Sequence, residues 1–194
     1  MRKRIYLPLT FLALIAIFMA GCKSKKLASP PPPKGEVEVS VPCSGTDFFT
    51  STKFFRANSS GESMDQVTSK KKALANARAE LAASIQTTVK AVTDNYTNST
   101  EVNNKEQVET RFEQLNREVV DQQLTGIRTI CEKLMKTPEG NYKTYIALEL
   151  SADDLVAAYK EKLSKDDKLR VDYDYEKFKD TFDKEMEKKA NENK

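Results

Sequence analysis

The chain of 194 residues contains no histidine and no tryptophan. Histidine is the side chain whose ordinary pKa suits acid and base work near neutrality, and it is the commonest metal ligand. Its absence excludes a Ser/His/Asp set, a Cys/His dyad and a zinc cluster, so no catalytic residue and no metal site is assigned. The six glycines are scattered, which leaves no Gly-rich loop to cradle phosphate. Long apolar runs are missing beyond residue 20. The one that exists, Ile5 to Ala20, is about 16 residues, short of the roughly 20 that cross a bilayer core.

That run is the most informative stretch present. Arg2, Lys3 and Arg4 precede it, and it closes on Met19-Ala20-Gly21-Cys22, the layout of a secretory signal with small residues at the cut site. It resembles a bacterial lipoprotein signal, in which a cysteine follows the small residues. The resemblance implies a signal peptide over 1–21 and a mature chain whose first residue, Cys22, carries lipid on its sulfur and amine. That lipid, palmitate included, would be the only prosthetic group. Each buried acyl methylene contributes about 0.8 kcal/mol and stable anchoring takes two chains, so a triacylated cysteine holds a protein to a membrane.

Cation excess is also lacking once the signal is set aside. The formal charge of +3 equals the charge of Arg2, Lys3 and Arg4, so the chain from Cys22 onward is neutral. A neutral body is no nucleic-acid platform, because such surfaces concentrate cations. Lys23, Lys25, Lys26 and Lys34 lie beside the lipid site, as a solvated tether or a cluster for anionic headgroups. Cysteine is sparse too. With Cys22 lipidated, Cys43 and Cys131 remain, either as buried thiols or as the one disulfide they can form in an oxidising compartment. Closing so long a loop stabilises by about 4–5 kcal/mol in the chain-entropy picture.

Residues 22–46 read as the tether. Ser29-Pro30-Pro31-Pro32-Pro33-Lys34-Gly35 favours polyproline II, as a spacer or as a ligand for a partner. Glu36 to Val41 alternates like a short strand, either paired with the domain edge or loose. The expected domain spans 47–164. Lys53 to Ala57 is a strand candidate, and Asn58-Ser59-Ser60-Gly61-Glu62 carries turn chemistry that ends it. Ser63 and Gln66 have capping-box spacing ahead of a helix from Met64 to about Thr93. Val67, Leu74, Leu81, Ile85, Val89 and Val92 are its expected apolar face, and Ala73, Ala75, Ala77, Ala79, Ala82 and Ala83 enrich it. Small side chains permit close approach to a sheet; a membrane-active helix is the other reading.

Asp94 to Asn104 is polar and reads as a loop, with Asn95-Tyr96-Thr97 and Asn98-Ser99-Thr100 as chance matches to a glycosylation acceptor. Asn104 then resembles a cap for a helix whose stripe is Val108, Phe112, Leu115 and Val119. Gly126–Lys136 and Asn141–Leu150 flank Thr137-Pro138-Glu139-Gly140, a hairpin loop. Tyr142, Thr144, Ile146, Leu148 and Leu150 share one face of the second run, and Lys143, Tyr145, Ala147 and Glu149 the other. Ile127 and Ile130 fall on opposite faces of the first, which a bulge or two covered faces explains. Ser151 caps a helix with Asp153 and Asp154 in its first turn and Leu155, Val156, Tyr159 and Leu163 on its apolar side. Residues 165–194 form a charged tail whose Tyr175, Phe178, Phe182 and Met186 recur as a helical stripe. That stripe either packs back on the domain or pairs with another copy.

The order strand, Ala-rich helix, hairpin, helix behind such a signal resembles the twenty-kilodalton bacterial lipoprotein family. The matching residues are Phe55-Arg56-Ala57, Gly61, Lys72 to Ala82, and Gly140 to Glu149. Val119 to Leu124 and Thr129 to Lys133 resemble Bacteroidetes members in particular. The resemblance implies an α+β fold, with the long helix packed on a small, mainly antiparallel sheet, and no assigned catalytic residue. Among lipoproteins of this kind an aspartate after the lipidated cysteine marks inner-membrane retention, and acidic residues after the cysteine and lysine mark surface export. Lys23, followed by Ser24, Lys25 and Lys26, is neither, which favours the outer membrane with the domain in the periplasm.

Three functions are compatible with these residues. The first is a non-enzymatic envelope lipoprotein that binds another envelope component or its own copies. The second is a cell-wall hydrolase working through carboxylates alone, with Glu80, Glu132 and Glu149 as candidates. The third is a small-ligand carrier with a pocket between helix and sheet.

Overall fold

The computed structural model describes residues 35, 39–98, 105–166 and 174–192, without the side chains of 105–108 and 122. The signal, Cys22, the Pro-rich stretch, Asn104 and the Val108 side chain lie outside the described residues. Three strands form an antiparallel sheet of order β1-β3-β2: β1 (Phe54–Ser63), β2 (Arg128–Lys136) and β3 (Tyr142–Ser151). Among the described residues four helices accompany it: α1 (Gln66–Asn98), α2 (Lys105–Gln123), α3 (Ala152–Lys165) and α4 (Tyr175–Glu192). The α+β expectation holds, and Ser40–Lys194 forms one compact unit.

The hairpin forms where Pro138 and Gly140 place it. Gly140 has φ 91, a conformation that glycine adopts without steric penalty. Its amide donates to the Thr137 carbonyl at 2.9 Å and the Thr137 amide to that of Asn141 at 2.8 Å. The register slips between Thr129 and Cys131, so the anticipated bulge falls at Ile130. Ser151 caps α3, its hydroxyl accepting from the Asp154 amide at 3.2 Å.

Four expectations are corrected, and one left open is answered in part. The run Asn58–Glu62 is no turn, and β1 continues to Ser63. A Cβ on Gly61 would sit 2.5 Å from the Ala73 nitrogen and 2.6 Å from the Ser69 oxygen, so glycine is there to let α1 cross the strand. The cap of α1 is Asp65 rather than Ser63: its carboxylate accepts from the Thr68 amide at 2.7 Å, while the Ser63 hydroxyl accepts from the Asp65 amide. The buried face of α1 begins with Ser69, Ala73 and Ala77, not with Val67, which is 60% exposed, or the half-buried Leu74. Close approach of the helix demands small residues, and the larger ones turn aside. The polar stretch after Thr93 extends α1 to Asn98, with Tyr96 and Thr97 buried. Residues 39–41 of the strand-like segment form no strand.

One core fills the space between sheet and helices. From α1 come Leu81, Ile85, Val89 and Val92; from α2 Phe112, Leu115 and Val119; from β3 Ile146, Leu148 and Leu150; from α3 Leu155, Tyr159 and Leu163. The charged tail joins it. Phe178 and Met186 of α4 are fully buried and Phe182 is nearly so. The Phe178 ring lies 5.7 Å from Tyr96, 6.5 Å from Phe112 and 5.5 Å from Tyr159, and Phe182 meets Phe55 edge-on. Such rings attract beyond their buried area. The stripe therefore packs on its own domain, and these side chains are not on offer to a second copy.

Candidate functional site

The sheet has a helix-covered face and a second face, and the alternation of β3 assigns residues to each. Thr144, Ile146, Leu148 and Leu150 point to α1, which leaves Lys143, Tyr145, Ala147 and Glu149 on the other side. The register sets Glu149 between Arg56 of β1 and Arg128 of β2. Its carboxylate, 8% exposed, accepts from Arg56 Nε at 2.8 Å and from Arg128 at 3.0 Å. A carboxylate removed from water needs such partners. A row of two cations and one anion thus runs across all three strands.

The segment before β1 lies over the same face as a strap. It begins at Cys43, which forms a disulfide with Cys131 of β2, Cα atoms 5.6 Å apart. Ala147, opposite Cys131 in the register, is fully buried. From Cys43 the strap makes a 3₁₀ turn at Thr46–Phe48 and reaches Thr50. There the hydroxyl accepts from the Arg56 amide at 3.0 Å and donates to the Arg56 carbonyl at 3.1 Å. Arg56 also donates to the carbonyls of Asp47 and Phe49, at 3.3 and 3.5 Å. Cys43, inside what the sequence reads as tether, is thus fastened to the sheet.

Grooves flank this strap. One of ≈390 Å³ is lined by Thr46, Phe49–Thr52, Arg56 and Ala190; another of ≈340 Å³ runs past Asn58, Glu80, Ser84 and Lys189. Arg56 is shared by both and already has its carboxylate and carbonyl partners. The second is lined by Asn58 of β1 and by Glu80 and Ser84 of α1, at the edge of the helix–sheet space where a carrier pocket was expected.

The three candidate carboxylates do not converge. Glu132 pairs with Lys70 of α1 at 2.9 Å, on the helix side of the β2 edge. Glu80 of α1 accepts from the Ser59 hydroxyl at 3.3 Å beside β1, and Glu149 lies on the opposite face with its two arginines. Among the described residues no group of three or more Asp, Glu, Cys or His is placed to hold a metal. No described helix is long and apolar enough to cross a membrane. Inside the domain Tyr159 donates to Asn116 at 2.9 Å, and burial pushes its phenol above the ordinary 10.0.

Arg56 and Arg128 are the site residues that sequence reasoning missed. The signal was partial: the hairpin register alone sets Glu149 opposite Thr129, and the bulge at Ile130 moves it to Arg128. The other partner required knowing that β1 joins the far side of β3.

Fold and site define a class, a small α+β domain held at its N-terminal end by a strap and a disulfide. The stretch 50–149 matches the LPP20 lipoprotein family, and the chain belongs to it. The match runs from Thr50, where the strap meets β1, to Glu149, so α3 and α4 lie beyond it. A comparison with curated proteins finds no match. Family membership makes the protein a membrane-anchored lipoprotein of the cell envelope.

Proposed function

We propose that the protein is an outer-membrane lipoprotein with a non-enzymatic binding or structural role, its domain facing the periplasm. The observation that carries this reading is Met19-Ala20-Gly21-Cys22 behind a cationic and apolar leader, in a chain of a lipoprotein family. On this reading residues 1–21 are removed, and palmitate with the rest of the lipid is attached at Cys22. Residues 23–42 then hold the domain off the bilayer. Lys23-Ser24-Lys25-Lys26 supports the outer membrane and the periplasmic side. The engagement of Glu80, Glu132 and Glu149 in ion pairs or hydrogen bonds supports a role without catalysis.

Labelled palmitate fed to expressing cells is expected to enter the full chain and to be lost from Cys22→Ser. Membrane separation is expected to place the labelled chain with the outer membrane, and protease added to intact cells to spare the domain. Incorporation into Cys22→Ser, or shaving of the domain from intact cells, overturns the corresponding part. Crosslinking in cells tests the binding role: capture of one defined envelope component or of a second copy supports it.

A further inference from the structure

We propose that the Cys43–Cys131 disulfide is a redox-operated latch that holds residues 43–49 against the sheet and sets where the domain hangs from its tether. The strap has few other fastenings. Between Cys43 and Thr50 no residue is fully buried; Phe48 and Phe49 are half-buried, and Gly45, Thr46 and Asp47 are exposed. The bonds from Arg56 to the carbonyls of Asp47 and Phe49 are long, whereas those between Thr50 and Arg56 are of normal length. Cys43 itself sits at φ 55, the one non-glycine residue among those described with positive φ. A side chain accepts that conformation only where its surroundings impose it. Without the bond to Cys131, Cys43 keeps only a long contact of its sulfur with the Tyr145 carbonyl, 3.7 Å, and the Ser44–Val41 hydrogen bond that spans it, and the backbone relaxes. Thr50 is then the hinge.

Opening is a thiol–disulfide exchange with a dithiol. A thiolate attacks Cys131 Sγ, since Cys131 is the more exposed partner and Cys43 is 5% exposed. Cys43 leaves as a thiolate and takes a proton. The second thiol of the reagent resolves the mixed disulfide, so two electrons and two protons pass to the protein and the dithiol becomes a disulfide. Seven residues join the tether, adding roughly 23 Å at full extension, and the Arg56–Glu149–Arg128 face is uncovered. The lengthening rests on Cys22 bearing the anchor; release of the strap does not.

Hydrogen exchange on the full chain, before and after dithiothreitol, tests the latch. In the oxidised chain the amides of Phe48 and Phe49 are bonded to Gly45 and Thr46, and that of Ser51 to Phe54. Reduction is expected to remove protection at Phe48 and Phe49 and to leave Ser51, α1 and β3 unchanged; Cys131→Ser is expected to show the same pattern without reductant. Protection retained at Phe48 and Phe49 in Cys131→Ser overturns the proposal. So does loss of protection across α1 and β3, or a disulfide that resists dithiothreitol in the folded chain. Palmitate labelling reads the anchor separately, so an open strap with no label on Cys22 rejects the anchor and keeps the latch.

Discussion

Gly61 of β1 has no room for a side chain. The neighbours of an added Cβ are the backbone of Ala73 and Ser69 and the Cβ of Lys72, none of which can swing away. Gly61→Ala is expected to destabilise by about 3 kcal/mol, the upper end for overpacking, read as a fall in the urea midpoint. The same contact explains the hydroxyl pair beside it. Ser69 donates to the Gly61 carbonyl at 3.0 Å, leaving Thr144 to donate to Ser69 at 2.7 Å. The arginines about Glu149 are unequal. Arg56 is 20% exposed and bound by several groups, and Arg128 is 66% exposed. Arg56→Met is expected to cost about 2 kcal/mol, the worth of a charged hydrogen bond. Arg128→Met should stay under about 1 kcal/mol. Equal losses in denaturant titrations would show that the row is shared evenly.

Elements were legible in the sequence in proportion to how locally they are determined. The β2–β3 hairpin and the start of α3 are set by Pro138 and Gly140, through their own backbone, and by the Ser151 hydroxyl three residues from its partner, and both formed where expected. Ser151→Ala is expected to cost about 1 kcal/mol by thermal melts, the usual worth of a cap. β1 and α1 were misread where each answers to the other. Asn58-Ser59-Ser60-Gly61 has turn composition, yet Asn76 of α1 donates to the Ser60 carbonyl and Ser59 to Glu80, so the polar run is a strand edge facing a helix. Arg56 and Arg128 stayed hidden as site residues for a related reason: Glu149 has two partners only after three strands are in place. The fate of α4 was beyond local reasoning, since a stripe fits its own core as well as another copy's. Phe178→Ala is expected to destabilise by about 3–5 kcal/mol, because the ring meets Tyr96, Phe112 and Tyr159 together.

No side chain of the molecule has an ordinary pKa between the carboxylates and the cysteines, so its melting temperature should be nearly flat from about pH 6 to 8. At the acid end, the Thr68 hydrogen bond lowers Asp65 from 3.8 and Lys165 lowers Glu161 from 4.5. Their contributions are complete above those values and vanish as pH falls through the lower folded ones. At the alkaline end the sign reverses. Burial keeps Tyr159 protonated above the 10.0 of an unfolded phenol, and Asp183 raises Lys179 above 10.5, so stability declines as pH climbs past 10. A melting curve that bends between pH 6 and 8 would contradict this.

The strand order carries a consequence in time. Among the described residues the chain makes β1 first, yet the only strand β1 pairs with is β3, and Phe54 waits for Ser151. Until β3 has been synthesised there is no sheet for α1 to lie on, and Cys43 has no partner until Cys131 arrives. Contacts so distant in sequence are slow to close. Through most of its synthesis the polypeptide therefore lacks both its sheet and its disulfide. The same late strand that completes the fold is what postpones it.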